Sequence, residues 1–160
     1  VKRGDDELSV EEYLDIVSGK TGALLVACAQ LGGGLGTNNV DLLQGLGTYA
    51  NHLGIAFQIR DDILDADSSS EKIGKSAGRD AALGKLTLPG ILARDSSGSK
   101  LPLNDGCRRD FIVEHGGFLK AHEFACDHVT KAIHALDIFE DQPARDRLIQ
   151  FANQSVLRKA

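Results

Sequence analysis

Asp61-Asp62-Ile63-Leu64-Asp65 gathers three carboxylates into five residues. On a helix, Asp61 and Asp65 stand at i and i+4, and Asp62 and Asp65 at i and i+3, so all three can share one face. Like charges at that spacing destabilise a helix by about 0.2–0.5 kcal/mol per pair. The segment also falls near a predicted helix C-terminus, where the dipole disfavours anions. A hard divalent cation would offset both costs, and carboxylate oxygens suit Mg2+. The competing reading is a solvated acidic helix end neutralised by Arg60 and by lysines further along the chain.

Those lysines lie in Gly74-Lys75-Ser76-Ala77-Gly78-Arg79-Asp80 and Gly84-Lys85-Leu86-Thr87-Leu88-Pro89. Cations beside flexible glycines, following an acidic metal site, suit a diphosphate, whose charge needs both. The pattern is not a Walker A loop: Gly78 and Gly84 enclose five residues rather than four, and Leu86 follows Lys85 where Ser or Thr is required. Gly32 to Gly36 is not a dinucleotide fingerprint, because Asn39 replaces the last glycine and the run follows a helix. The simpler alternative for the basic stretch is a solvated linker.

Lys20 is the only charged residue between Ile16 and Val40. A lysine in so apolar a helix either snorkels its stem or meets an anion, and Thr21 beside it adds a hydroxyl. Phe57 and Gln58 lie one turn before the aspartates; taken alone they read as a core ring and a hydrogen-bonded core amide. His52 reads as a buried, hydrogen-bonded histidine, since no second histidine stands at i±4 to make a metal pair. Neither a GxSxG elbow nor a Ser/His/Asp order stands out, so acyl transfer has no support.

The elements that must position these groups are helices. Apolar residues recur with helical period, and no sustained alternation of period two occurs, which gives an all-α chain. Ser9-Val10-Glu11-Glu12 is a capping box opening a helix to about Leu31, stopped by Gly32-Gly33-Gly34. Asn38 or Asn39 caps a second helix running to about Asp65. Residues 66–85 read as a long mobile loop. A short helix from Leu86 to Arg94, interrupted by Pro89, follows. A loop from Ser96 to Leu103 leads to a helix from Asp105 to His115, broken at Gly116-Gly117. A longer helix spans Phe118 to about Ile138, and Pro143 opens a last one to about Leu157.

The chain has 160 residues, 42% apolar and 26% charged, with 18 basic against 23 acidic residues for a net charge of −5. These values exclude a largely disordered protein. The acidic balance argues against nucleic-acid binding, and six Phe and two Tyr with no Trp leave little for base stacking. No run of 18 apolar residues predicts a membrane span, and no charged-then-apolar leader predicts a signal peptide. Cys28, Cys107 and Cys126 form no CxxC and are expected to be reduced thiols of a cytoplasmic protein. Methionine is absent even at position 1, so either the initiator was removed or translation begins upstream.

Residues 42–59 carry no Asp, Glu, Lys or Arg, and Ile16 to Val40 carries only Lys20. Helices without a charged face are usually buried all round. Two such helices need more covering layers than the remaining short elements supply. Missing helices, from a partner chain or a further portion of the protein, are therefore expected.

Gly54-Ile55-Ala56-Phe57-Gln58-Ile59-Arg60-Asp61-Asp62-Ile63-Leu64-Asp65 resembles the second aspartate-rich motif of the trans-type isoprenyl (polyprenyl) diphosphate synthases. Gly19-Lys20-Thr21 is similar to that family's KT on an inner helix. Gly74-Lys75, Gly78-Arg79-Asp80 and Gly84-Lys85-Leu86-Thr87-Leu88-Pro89 match its following loop. The tail from Glu114-His115-Gly116-Gly117 through Pro143-Ala144-Arg145 to Leu157-Arg158 is also similar. The resemblance covers nearly the whole chain in the family's order.

It implies antiparallel helices around a central cavity, usually in a homodimer, and Mg2+-dependent condensation of isopentenyl diphosphate with an allylic diphosphate. Carried over by resemblance, Asp61, Asp62 and Asp65 ligate Mg2+, and Asp80 supports it through the water shell. Lys20 and Lys75 bind the allylic diphosphate, with Lys85 as a weaker transfer. Thr21 and Gln58 lie beside the reacting carbons, and Phe57 contacts isopentenyl diphosphate. The family's first aspartate-rich motif and its upstream basic residues have no match here. Residues 1–160 are therefore expected to be the C-terminal part of one synthase domain, with residues 66–85 as a mobile active-site loop. A non-catalytic diphosphate-binding or regulatory subunit of a heteromeric synthase is the alternative, with a terpene cyclase behind it.

Overall fold

Residues 8–67 and 86–157 are described by the structure, a computed structural model. Among them every regular element is helical, so the all-α expectation holds. In chain order the helices are α1 (Val10–Val17), a π-helical turn (Ser18–Gly22), α2 (Ala23–Gly34), α3 (Val40–Asp67), α4 (Leu88–Ser97), α5 (Asp105–Glu114), α6 (Gly117–His134) and α7 (Pro143–Leu157). Of the loop expected over 66–85, Ala66 and Asp67 belong to α3, and the rest lies outside the described residues.

Local sequence signals account for most boundaries. The Ser9 amide donates to Glu12 Oε2 at 3.0 Å and the Glu12 amide to Ser9 Oγ at 3.1 Å, the reciprocal capping box. Asn39 Oδ1 accepts from the amides of Asp41 and Leu42 at the start of α3. Asn104 does the same for Gly106 and Cys107 in α5. Gly116, at φ 68°, ends α5 in the left-handed region that favours glycine. Pro89 does not interrupt α4 but sits in its first turn, where a missing N–H costs nothing. α6 stops at His134, four residues short of expectation, because Leu136 and Asp137 tighten to i−3 bonds with Ile133 and His134.

The chain divides into two compact units. One comprises the described residues of Val1–Tyr13 and Ile59–Glu123. Its core is Tyr13, Ile59, Ile63, Leu88, Ile91, Leu92, Ile112 and Ala121. Arg109 secures the end of α3 there: its Nε donates to the Asp67 carbonyl, and its Nη2 pairs with the Asp67 carboxylate at 2.8 Å. That anchor explains why α3 continues two residues past Asp65.

The other unit comprises Leu14–Gln58 and the described residues of Phe124–Ala160. Val17, Tyr49, Ala50, Leu53, Ile55, Ala56, Ala125, Val129, Ala132, Leu136, Ala152 and Val156 fill it. The Tyr49 hydroxyl donates to the Leu148 carbonyl at 2.9 Å, tying α3 to α7. Arg145 Nε donates to the Leu136 carbonyl at 3.0 Å, tying α7 to the segment after α6.

Glycines set the approach of α2 to α3. A Cβ on Gly54 would stand 3.1 Å from the Gly22 Cα, and one on Gly22 would stand 2.3 Å from Asn51 Oδ1. The opposite side of α2 departs from expectation. Its uncharged sequence predicts burial all round, yet none of its residues is buried, and Leu31 and Leu35 are 75% and 94% exposed. The described residues supply a neighbour on the α3 side and none on the other. The continuous stretch Val10–Gly34 is long and apolar enough, by length and composition, to cross a membrane, although it holds no unbroken run of 18 apolar residues. Ser18 and Thr21 of this stretch hydrogen-bond to α3, and Gly22 and Gly33 face it.

Candidate functional site

The three aspartates sit in the last turns of α3, in the unit containing Tyr13. They do not share one environment. Asp62 is 2% exposed and its Oδ2 accepts from the Tyr13 hydroxyl at 2.8 Å. Asp61 is half-buried and Asp65 is exposed. Tyr13 is itself buried, at 5% exposure. Burial first, then the Asp62 charge and the hydrogen bond, raise its phenol well above the usual range, so it remains an O–H donor. The expected common face thus resolves into a buried carboxylate, a half-buried one and an exposed one.

Their fit to a divalent ion can be judged from the donors. Among the described residues no group of three or more His, Cys, Asp or Glu could hold a metal ion unaided. Asp61 and Asp65 remain at i and i+4 with hard oxygen donors. That fits an ion that takes one or two protein carboxylates and completes its shell with water and substrate phosphate oxygens, as Mg2+ does. It does not fit an all-protein cage.

Lys20, Thr21, Phe57 and Gln58 belong to the other unit. Lys20 and Thr21 lie in the π-helical turn. Such turns carry one extra residue per turn and concentrate at functional sites. Thr21 Oγ1 donates to Gln58 Oε1 at 3.2 Å, and Ser18 Oγ to Asn51 Oδ1 at 2.7 Å. The first bond pairs two residues singled out by sequence. It fixes Gln58 with its carbonyl oxygen turned to Thr21, so its amide N–H groups remain the donors of that side chain. Lys20 is exposed on the same turn, and Phe57 is partly exposed. Lys75, Asp80 and Lys85 lie outside the described residues.

Sequence reasoning missed Tyr13, Ser18 and Asn51. A buried tyrosine hydroxyl needs a partner, but nothing in the sequence points to one 49 residues away. His52 is hydrogen-bonded, as expected, but half-buried rather than buried; its partner is His128 of α6, with the Nδ1 atoms 3.0 Å apart. Burial, then repulsion from His52 and Lys131, lowers His128 to about 4, against an opposing pull from Asp127. His52 is lowered by burial and then by Lys131, again opposed by Asp127.

Residues 1–111, which include the three aspartates, Lys20, Thr21, Phe57 and Gln58, match the family model described as polyprenyl synthetase. The chain is 31% identical over 159 residues to the short chain isoprenyl diphosphate synthase of Methanothermobacter thermautotrophicus, covering 92% of this chain and 49% of that protein. It is 31% identical to the octaprenyl diphosphate synthase of Escherichia coli, covering 96% and 52%. Its fold superposes on the polyprenyl synthase of Caulobacter crescentus complexed with calcium and isoprenyl diphosphate. That match has a TM-score of 0.88 and 31% identity, over 100% of this chain and 53% of the other. The chain therefore spans about half the length of the relatives it matches. It belongs to the polyprenyl synthetase family.

Proposed function

We propose that these residues are the C-terminal part of a Mg2+-dependent trans-polyprenyl diphosphate synthase, which joins isopentenyl diphosphate to an allylic diphosphate. The observation that carries this is the family match over residues 1–111, which takes in Lys20, Thr21, Phe57, Gln58, the three aspartates, Lys75, Asp80 and Lys85. We place the whole protein in the cytoplasm as a homodimer without a membrane span, with Val10–Gly34 as an inner helix.

In this reaction the allylic C–O bond ionises, diphosphate departs, and the double bond of isopentenyl diphosphate attacks the resulting carbocation. A proton is then lost to regenerate an alkene. No protein nucleophile is required. Asp61 and Asp65 would hold Mg2+, supported by Asp62 and Asp80. When bound, the ion neutralises charge on the departing diphosphate. Lys20 and Lys75, with Lys85, pair with diphosphate oxygens and make the leaving group less basic. Thr21, whose hydroxyl proton is committed to Gln58, presents its oxygen lone pairs to developing positive charge without reorganising, with Gln58 holding it in place. Phe57 offers an aromatic face to the isopentenyl group.

A prenyl-transfer assay with Mg2+, isopentenyl diphosphate and an allylic diphosphate tests this on two proteins. One is the 160-residue chain; the other is the longest in-frame protein that ends at Ala160. Product from the longer protein alone is expected. Product from the short chain would show that one aspartate cluster per chain suffices. No product from either, with a separate catalytic chain co-purifying, would favour a regulatory subunit.

A further inference from the structure

Building on the prenyl-transfer reading above, we propose that Tyr13 is a positioning residue for the aspartate cluster. Its hydroxyl anchors the Asp62 carboxylate inward, leaving Asp61 and Asp65 as the pair that meets metal and diphosphate.

Asp62 and Tyr13 are 2% and 5% exposed, and their 2.8 Å bond joins α1 to α3 within one unit. A hydrogen bond to an ionised acceptor is about twice as strong as a neutral one. Asp62 occupies the middle of the i, i+1, i+4 triplet, so its side-chain direction fixes the rotation of the last turns of α3. Asp61 precedes it by one residue and Asp65 follows by three, and both are set by that rotation. Arg109 restrains the same helix end from α5 through Asp67. The Asp61 and Asp65 carboxylates are thus held between an inner anchor, Tyr13, and a terminal one. In this assignment the three aspartates are not equivalent ligands: Asp62 acts through Tyr13 and the helix, and Asp61 and Asp65 act on the ion.

The test uses the full-length protein. Mn2+ replaces Mg2+ so that free ion can be counted by electron paramagnetic resonance, with inorganic pyrophosphate as the probe anion. Tyr13→Phe should weaken pyrophosphate-dependent Mn2+ binding about tenfold. In an Asp62→Asn background, where no carboxylate remains to be oriented, the same change should have less than a twofold effect. Wild-type binding by Tyr13→Phe, or an equal loss in both backgrounds, overturns the assignment. Should Tyr13→Phe fail to fold, 3-fluorotyrosine placed at position 13 gives a second readout. Its fluorine resonance should move when Mn2+ is replaced by diamagnetic Mg2+ and pyrophosphate is added, and a stationary resonance overturns the assignment. Asp61→Asn separates the two levels. Wild-type Mn2+ binding by Asp61→Asn overturns the prenyl-transfer reading itself. Lost binding there, with normal binding by Tyr13→Phe, overturns only the role of Tyr13.

Discussion

Asp61 and Asp62 are chain neighbours with different surroundings, and their substitution should have different consequences. Removing the half-buried Asp61 strips a charge from the Asp61 and Asp65 pair while leaving the buried Tyr13–Asp62 bond in place. In the full-length enzyme, Asp61→Ala should lower turnover by about a hundredfold or more, measured as kcat at saturating Mg2+, with little change in thermal midpoint. The histidine pair makes a prediction of the opposite kind, about stability alone. His128 is held near 4, below the ordinary imidazole value of about 6.5, so the folded state binds fewer protons than the unfolded state between those values. The stabilisation is complete above about pH 6.5 and is lost as pH falls through that window towards 4. Urea midpoints should decline between pH 7 and pH 4.5, and His128→Asn should flatten that decline. Candidate residues could be singled out because carboxylate spacing and an isolated lysine are local signals. Their partners could not, since Tyr13–Asp62 and His52–His128 close over 49 and 76 residues.

Helix starts were legible to within a residue or two wherever a side chain caps them, as at Ser9, Asn39 and Asn104. Helix ends were less so. α3 gains two residues from Arg109, α6 loses four to tightened turns, and α2 runs through a glycine series that a local rule reads as a stop. Each depends on contacts or strain that no short window encodes. The crossing of α2 over α3 is another such contact, and it rests on missing side chains. Gly54→Ala would press a methyl against the Gly22 backbone at 3.1 Å and the Leu25 side chain at 3.2 Å. Such overpacking should cost about 1–3 kcal/mol, read as a lowered urea midpoint. Gly32→Ala, with nothing within 4 Å of the new methyl, is the control and should hold or gain stability.

At the scale of the whole chain, composition indicated a folded protein and asked for further covering helices, and the chain spans about half the length of its relatives. It erred on α2, where burial all round was inferred from the absence of charge. Leu24, Leu31, Leu35 and Val40 are exposed, with Ile16 half-exposed. Patches of this composition on a soluble protein mark contact surfaces. The isolated chain should therefore self-associate, giving a light-scattering mass above that of one chain that falls on dilution. A mass of one chain at every concentration would contradict this.

The π-helical turn has a consequence at the level of the gene. It is an α-helix with one residue too many, so its information lies in length rather than in residue identity. Deleting one codon between Ser18 and Gly22 would leave a continuous α-helix. The residues after it would then keep nearly the face they present now, because four α-helical residues turn through about the angle that five π-helical ones do; an added codon would instead rotate the Gly22 face by about 100° relative to the buried Val17. Substitution at Gly19, which has open space around it, would change nothing of the kind. The segment should thus accept missense changes at Gly19 and tolerate a single-codon deletion there better than a single-codon insertion.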